Sequence, residues 1–211
     1  MYADLDKGQI TMLQELCHDG SLWRWYNPCM RKESRPFGFG GWRWELLGDV
    51  QGQILEIGCG WGHNFDHYPS NVPIAAFDID LDRVRSASRQ RASGRPIRLA
   101  AANAQQLPFP DGHFDSVVGT LVFCSIPDPA RALAEIRRVL NPDGRLYLID
   151  HMRSHHKWLG RTQDFLAPAW LAVTGGCNLN RDTESTVRQA GFEIEKLKAG
   201  FGGLLKLMIA K

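Results

Sequence analysis

The sequence of 211 residues lacks any apolar run long enough to span a bilayer, which takes roughly 18 residues or more. Its first ten residues, MYADLDKGQI, contain neither a basic segment nor an apolar one. We therefore expect no secretory signal and a cytoplasmic protein. Internal repeats and low-complexity tracts are also missing, which excludes solenoids and long flexible linkers.

Cysteine is scarce and is not arranged as a framework. The five cysteines are odd in number and contain no C-x-x-C pair, so we expect neither disulfides nor a metal site. Charge of one sign is not in excess either: 25 basic and 23 acidic side chains leave a net charge of +2. Such a balance gives no overall attraction to nucleic acid, and we expect none as a partner.

Short apolar runs alternate with amphipathic stretches from residue 53 onward. This alternation predicts an α/β fold with a mostly parallel sheet and helices on both faces. The clearest helix is predicted over 128–140, with Asp128 as its N-cap and Pro129 in its first turn. The predicted strands of the sheet are 54–57, 74–77, 97–100, 116–119 and 146–149, followed by two more within 192–210 that pair as an edge hairpin.

A glycine-rich turn follows the first predicted strand. Residues 54–62 are I-L-E-I-G-C-G-W-G, and we expect a helix after them. The second strand ends in F-D-I-D, so that Asp78 is placed to accept hydrogen bonds from both hydroxyls of a ribose. A dinucleotide would favour a third glycine at position 63, where His63 stands. The spacing suits S-adenosylmethionine (SAM), which has no phosphate, and a nicotinamide oxidoreductase is the rival interpretation.

Four motifs in order resemble a class I SAM-dependent methyltransferase: the glycine turn, F-D-I-D, A-N-A-Q-Q-L-P-F-P-D-G-H-F-D-S-V-V and I-P-D-P through L-Y-L-I-D. Together they cover residues 53–150. The resemblance implies a Rossmann-like sheet of seven strands with an antiparallel last strand. It also implies a cofactor site made of Glu56, Gly58, Cys59, Gly60, Gly62, Asp78, Ile79, Asn103, Ala104 and Thr120.

Two positions depart from the family pattern. The family usually has aspartate where Asn103 stands, accepting from the adenine amino group, and an asparagine amide oxygen still accepts. Trp61 replaces a small residue, and it either packs on the cofactor or shields it.

A closer resemblance concerns the acceptor. The segments T-L-V-F-C-S-I-P-D-P, D-H at 150–151 and G-G-C-N-L-N-R-D-T are similar to the alkyl-thiol S-methyltransferases, and the small bacterial phosphatidylethanolamine N-methyltransferases are similar in length and core. We therefore expect methyl transfer to a thiol or amine of a small or amphiphilic acceptor. A phospholipid or quinone methyltransferase at the membrane surface is one alternative, and a non-catalytic SAM-binding protein is another.

A thiol or amine must lose a proton before its lone pair attacks the methyl group. His151 follows the fifth predicted strand, where substrate is expected, and imidazole titrates near neutral pH, so we predict it as the general base. Asp150 is predicted either to orient a histidine or to cap the next helix. His151 and His155 have helical spacing, but the sequence offers no third metal ligand beside them.

The first part of the chain is rich in aromatic and basic residues. We predict a helical cap over residues 1–50 that closes over substrate and a methyltransferase domain over 51–211. Four of the seven tryptophans lie within 22–44, together with four arginines and a lysine. Two interpretations are open: these tryptophans pack the cap onto the sheet, or they contact a membrane surface beside a lipid-like acceptor.

Overall fold

A single sheet of seven strands organises the computed structural model, which describes residues 39–90, 95–174 and 176–211. In spatial order the strands are β3–β2–β1–β4–β5–β7–β6. Their bounds are β1 Ile54–Ile57, β2 Ile74–Asp78, β3 Ile97–Ala101, β4 Phe114–Thr120, β5 Leu140–His151, β6 Ile194–Gly200 and β7 Leu205–Ala210.

Strands β1 to β5 pair in parallel, whereas β7 pairs antiparallel with both β5 and β6. The predicted mostly parallel sheet with an antiparallel last strand is thus confirmed. The central strand β1 is buried at all four residues, as expected for a strand covered on both faces. Since parallel strands end at one edge, the residues after β1, β2, β4 and β5 come together there.

Helices cover both faces of the sheet, as predicted. Their bounds are α1 Phe39–Leu47, α2 Leu81–Gln90, α3 Pro129–Val139, α4 Lys157–Thr174 and α5 Thr183–Gln189. One hydrophobic core includes Leu133 and Ile136 of α3 with Val187 of α5. The core on the opposite face includes Leu46 of α1 and Ala87 of α2.

Helix α3 forms where its capping residues predict it. The Asp128 carboxylate accepts a hydrogen bond from the Arg131 backbone N–H at 3.0 Å, and Pro129 is its first residue. The segment N-P-D-G follows the helix directly. Strand β5 begins at Leu140, and its pairing with β4 skips to Arg145, so residues 141–144 form a bulge.

The helix expected after the glycine turn is absent from the described residues, and this prediction was wrong. A single 3₁₀ turn, Phe65–His67, takes its place. Proline explains the difference, because Pro69 and Pro73 follow closely and the residue before a proline is disfavoured in helical conformation.

Within the described part of the chain, no helix is both long enough and apolar enough to cross a membrane. Residues 1–38, which make up most of the predicted cap, lie outside the described residues. The boundary between cap and domain therefore stays a prediction.

Candidate active site

The turn after β1 depends on glycines with left-handed backbone angles. Gly58, Gly60 and Gly62 have φ values of 65°, 53° and 83°. A Cβ atom on Gly58 would overlap the Val122 side chain, and one on Gly62 would overlap Phe65. A Cβ on Gly60 would meet no atom within 4 Å. Two of the glycines thus permit close packing, and the third faces open space.

Two contacts tie this turn to the end of β2. The Cys59 backbone N–H donates to the Phe77 carbonyl at 2.9 Å, and the Gly60 N–H donates to the Asp78 carboxylate at 3.0 Å. Burial raises the pKa of the Cys59 thiol well above its usual range, so this side chain packs as a neutral group.

Asp78 is buried at the carboxyl end of β2. One of its oxygens accepts from Gly60 and the other from the Asp80 backbone N–H at 3.0 Å. A carboxylate offers about four acceptor positions, so capacity for two further hydrogen bonds remains. The next residue, Ile79, is 74% exposed and places an apolar surface beside this carboxylate.

Glu56 is a buried carboxyl group at the centre of the sheet. Asn64 donates from Nδ2 to Glu56 Oε1 and to Thr120 Oγ1, each at 2.9 Å. Glu56 Oε2 is buried and has no hydrogen-bond donor among the described residues. Burial raises the pKa of Glu56 to about 7, although the nearby Tyr68 hydroxyl, the Asn64 hydrogen bond and the Arg43 charge oppose this shift. The orphaned oxygen makes the pocket suited to a cationic group.

Asn103 and Ala104 follow β3 on the loop beyond Asp78. The Asn103 side-chain oxygen accepts from the Gln105 backbone N–H at 2.9 Å, which braces the loop. Ala104 is buried. One of the two lone pairs of the Asn103 oxygen is therefore already used inside the protein.

Asp150, near the end of β5, is buried and accepts hydrogen bonds from two backbone groups. Its carboxylate accepts from the Cys124 N–H and from the His151 N–H, both at 2.9 Å. Burial raises its pKa to about 6, and the neighbouring His151 charge opposes that rise. Asp150 thus contacts the main chain of His151 and of Cys124, and which of its two predicted roles it takes stays a prediction.

His151 meets two cysteines that lie far from it in sequence. Its Nε2 is 2.7 Å from Cys177 Sγ, whereas its Nδ1 is buried and has no hydrogen-bond partner among the described residues. Trp170 donates from Nε1 to the same sulfur at 3.2 Å. One ligand atom from each of Cys124, His151 and Cys177 lies within 4.8 Å of the others. We call these three residues the Cys–His–Cys cluster.

Charge within the cluster is set by these contacts. The hydrogen bond with Cys124, together with those to His151 and Trp170, lowers the pKa of Cys177. Burial disfavours the charged imidazole, but the hydrogen bond to Cys177 and the Asp150 charge outweigh it and raise the pKa of His151. The cluster therefore favours a thiolate at Cys177 beside a protonated His151.

Other polar residues near the cluster have structural partners. Arg181 donates to the carbonyl groups of Phe123 and Ile126, so it fastens the loop after β4. His155 lies beyond the end of β5 rather than on a helix with His151, and its ring packs 4.2 Å from that of His156.

Of the aromatic stretch 22–44, only residues 39–44 are described. The Trp42 ring lies under the Lys198 ammonium at 4.9 Å, which packs it onto β6. The rest of the stretch, and with it the membrane contact, lies outside the described residues.

Comparison with known proteins identifies the domain. Residues 55–148 match the family described as "Methyltransferase domain". The chain contains a class I SAM-dependent methyltransferase domain. Over 150 residues it is 33% identical to human thiol S-methyltransferase TMT1A, an alignment that covers 69% of this chain and 62% of that protein. The chain thus spans less than two thirds of the length of this relative.

Further matches agree on the methyltransferase fold. The phosphatidylethanolamine N-methyltransferase of Cereibacter sphaeroides is 29% identical over 103 residues, or 47% of this chain and 51% of that one. The solved S-adenosylmethionine-dependent methyltransferase of Mesorhizobium loti superposes with a TM-score of 0.63 at 17% identity, covering 82% of this chain and 96% of the other.

The residues of the methyltransferase domain fit SAM, the cofactor of this family. The orphaned oxygen of Glu56 would hold the ammonium of its amino-acid end. Asp78 has acceptor capacity left for the ribose hydroxyls, and Gly60 leaves open space at the turn. The individual roles of these residues, like those of Thr120, Asn103 and Ala104, stay predictions.

Sequence reasoning missed two features of the methyltransferase domain. Asn64 links Glu56 to Thr120, and its only signal was a polar residue two positions after the last glycine. The meeting of Cys124 and Cys177 was not predicted, because nothing in their spacing shows that the fold brings both sulfurs to His151.

Proposed function

We propose that this protein transfers a methyl group from SAM to the sulfur of a small or amphiphilic thiol. The observation that carries the proposal is the Cys–His–Cys cluster at the ends of β4 and β5. Thr120 of the cofactor side pairs with Ile149 in the sheet, two residues before His151. An acceptor beside His151 therefore lies next to the cofactor pocket, at the edge where ligands of such sheets bind.

A thiol acceptor is favoured over an amine by two considerations. The relative that shares 33% identity is a thiol S-methyltransferase, and the segments that resemble that branch contain Cys124, His151 and Cys177. An apolar portion of the acceptor would find a surface on α4, where Trp158, Phe165 and Trp170 are 71%, 84% and 37% exposed. The stretch 22–44 stays a predicted contact for a lipid-like acceptor.

The residues divide the work between two ends of the site. When bound, SAM supplies an electrophilic methyl group on a sulfonium. Glu56, Asp78 and the glycine turn hold and orient the cofactor, and Asp150 fixes the main chain of His151. His151 is the predicted base and accepts the acceptor's proton when its imidazole is neutral. Alignment of sulfur, methyl carbon and leaving sulfur supplies much of the rate.

The test is product analysis with purified protein, SAM and a series of alkyl thiols of increasing chain length. We expect S-adenosylhomocysteine and the matching methyl thioether in equal amounts. The KM for the thiol should fall as its alkyl chain lengthens. Phosphatidylethanolamine vesicles form the parallel arm. If N-methylated lipid forms and no thioether does, the acceptor group is an amine and not a thiol. Cofactor binding without product in either arm would indicate a non-catalytic SAM-binding protein.

A further inference from the structure

We propose that Cys124, His151 and Cys177 hold a zinc ion with a fourth position open to the acceptor's sulfur. The binding of zinc stands on the geometry alone, whereas the role of the open position rests on the proposed thiol methylation. The absence of a metal site was expected from cysteine spacing, and spacing along the chain does not reveal ligands that the fold brings together.

The three ligands come from three separate segments at one edge of the sheet. Cys124 lies on the loop after β4, His151 ends β5, and Cys177 lies between α4 and α5. Their ligating atoms are all within 4.8 Å of one another. Two thiolates, one imidazole and a free fourth position are a donor set that zinc takes in catalytic sites. Calcium and magnesium favour oxygen ligands instead.

Surrounding groups hold each ligand in place, as second-layer contacts do at metal sites. The Asp150 carboxylate binds the backbone N–H groups of both Cys124 and His151. Asn178, next to Cys177, donates from its backbone and side chain to the Cys124 carbonyl at 2.8 and 3.0 Å. One carboxylate and one asparagine thus join all three segments, which limits the entropy that metal binding must overcome.

The cluster also differs from a closed structural site. Among the residues that the structure describes, three residues and no more converge there. Both Asp150 oxygens are already occupied by backbone donors. Cys124 is buried, but His151 and Cys177 are only partly buried, so a ligand reaches the cluster from solvent. These features point to a metal that exchanges a ligand during reaction.

The chemistry balances without an added reagent. The acceptor's thiol loses its proton to solvent and binds zinc as a thiolate. A sulfur–carbon bond to the methyl group then forms as the carbon–sulfonium bond breaks. The electron pair of the broken bond stays on the cofactor's sulfur, which leaves as S-adenosylhomocysteine, and the methylated acceptor is a neutral thioether, which is a weaker ligand. In this form of the enzyme zinc replaces His151 as the group that lowers the proton affinity of the thiol, because the imidazole binds the metal.

The primary experiment measures metal content of the full chain, purified under reductant and without chelator after growth with zinc. We expect about one zinc per chain. Cys124→Ser and Cys177→Ser should each lose most of it. His155→Asn is the matched control, because its side chain lies outside the cluster, and it should keep the zinc. S-adenosylhomocysteine binding and thermal melting show that every variant is folded.

Cobalt gives an independent readout on the ligands. Replacement of zinc by Co²⁺ should produce a sulfur-to-cobalt charge-transfer band that weakens in each single cysteine variant.

Three results would each overturn zinc binding. The reduced wild-type protein could contain no metal, both cysteine variants could retain zinc, or Cys124 and Cys177 could form a disulfide even under reductant. Thiol methylation at an unchanged rate after chelation would overturn the catalytic role alone. Zinc binding without any thiol methylation would overturn the proposed function and leave the metal site standing.

Discussion

The two halves of the site are built in different ways. The cofactor half is centred on the turn 58–62, with Glu56 just before it and Asp78 one strand later, so this central part of it is close in sequence. The acceptor half joins Cys124, His151 and Cys177, which are more than 25 residues apart from one to the next. A constant ligand is held by a local motif, whereas a variable one is met by segments that only the fold assembles. A substitution in one half should therefore leave the function of the other half largely unchanged.

The largest expected effect is on turnover. Replacing His151 by alanine should lower kcat roughly 10²–10⁴-fold, because the group that acts on the acceptor's proton is removed. Affinity for S-adenosylhomocysteine, measured by calorimetry, should stay within about twofold, since no contact joins this ring to the glycine turn. His155→Ala is the matched control. A parallel fall in cofactor affinity would show that the halves are not separable.

Asp78→Ala should have the opposite pattern. We expect cofactor binding to weaken by about 1–3 kcal/mol, because the ribose hydroxyls and the Gly60 N–H lose their acceptor. Calorimetric titration with S-adenosylhomocysteine measures this, and Asp80→Ala, which leaves the Gly60 contact in place, is the control. Unchanged affinity in the Asp78 variant would refute the ribose assignment.

The glycine turn gives a comparison inside the cofactor half. Gly58→Ala should cost about 1–3 kcal/mol of folding stability, since it combines a left-handed φ with overlap on Val122. Gly60→Ala has a similar φ but no overlap, so it should destabilise less and affect cofactor affinity more. Chemical denaturation and calorimetry on both variants test this, and equal losses of stability would contradict the packing argument.

A smaller effect should appear as a pH dependence of cofactor binding. In the free protein Glu56 holds its proton below about pH 7, where burial has raised its pKa. A bound ammonium favours the carboxylate, so binding should release a proton and tighten as pH rises, at most about tenfold per unit. Above pH 7 the dependence should level off. Calorimetry in buffers of different ionisation enthalpy measures the proton, and Glu56→Gln should abolish its release.

The same shift has a consequence for folding. The pKa of Glu56 is about 7 in the folded chain and near its usual value when unfolded. The unfolded state therefore loses its proton first, and the Glu56 contribution to stability falls as pH rises from about 4.5 to 7. Comparison of denaturation curves for wild type and Glu56→Gln across this range isolates it.

Local signals explain what the sequence predicted well. Strand ends, the cap at Asp128 and the glycines at 58 and 60 depend on neighbouring residues, so their pattern is visible along the chain. The missing helix after Gly62 shows the limit, because two prolines outweighed the expected strand–turn–helix pattern. The sulfur contacts of His151 depend on how β4, β5 and the segment after α4 pack together, and no periodicity encodes that packing.

The central claim is most directly tested by a competition for the methyl group. The protein is given SAM with a labelled methyl group and equal amounts of an alkyl thiol and the alkylamine of the same chain length, and the products are separated by mass spectrometry. The account predicts labelled methyl thioether in large excess, with the label lost in His151→Ala. Labelled N-methylamine as the main product would contradict it.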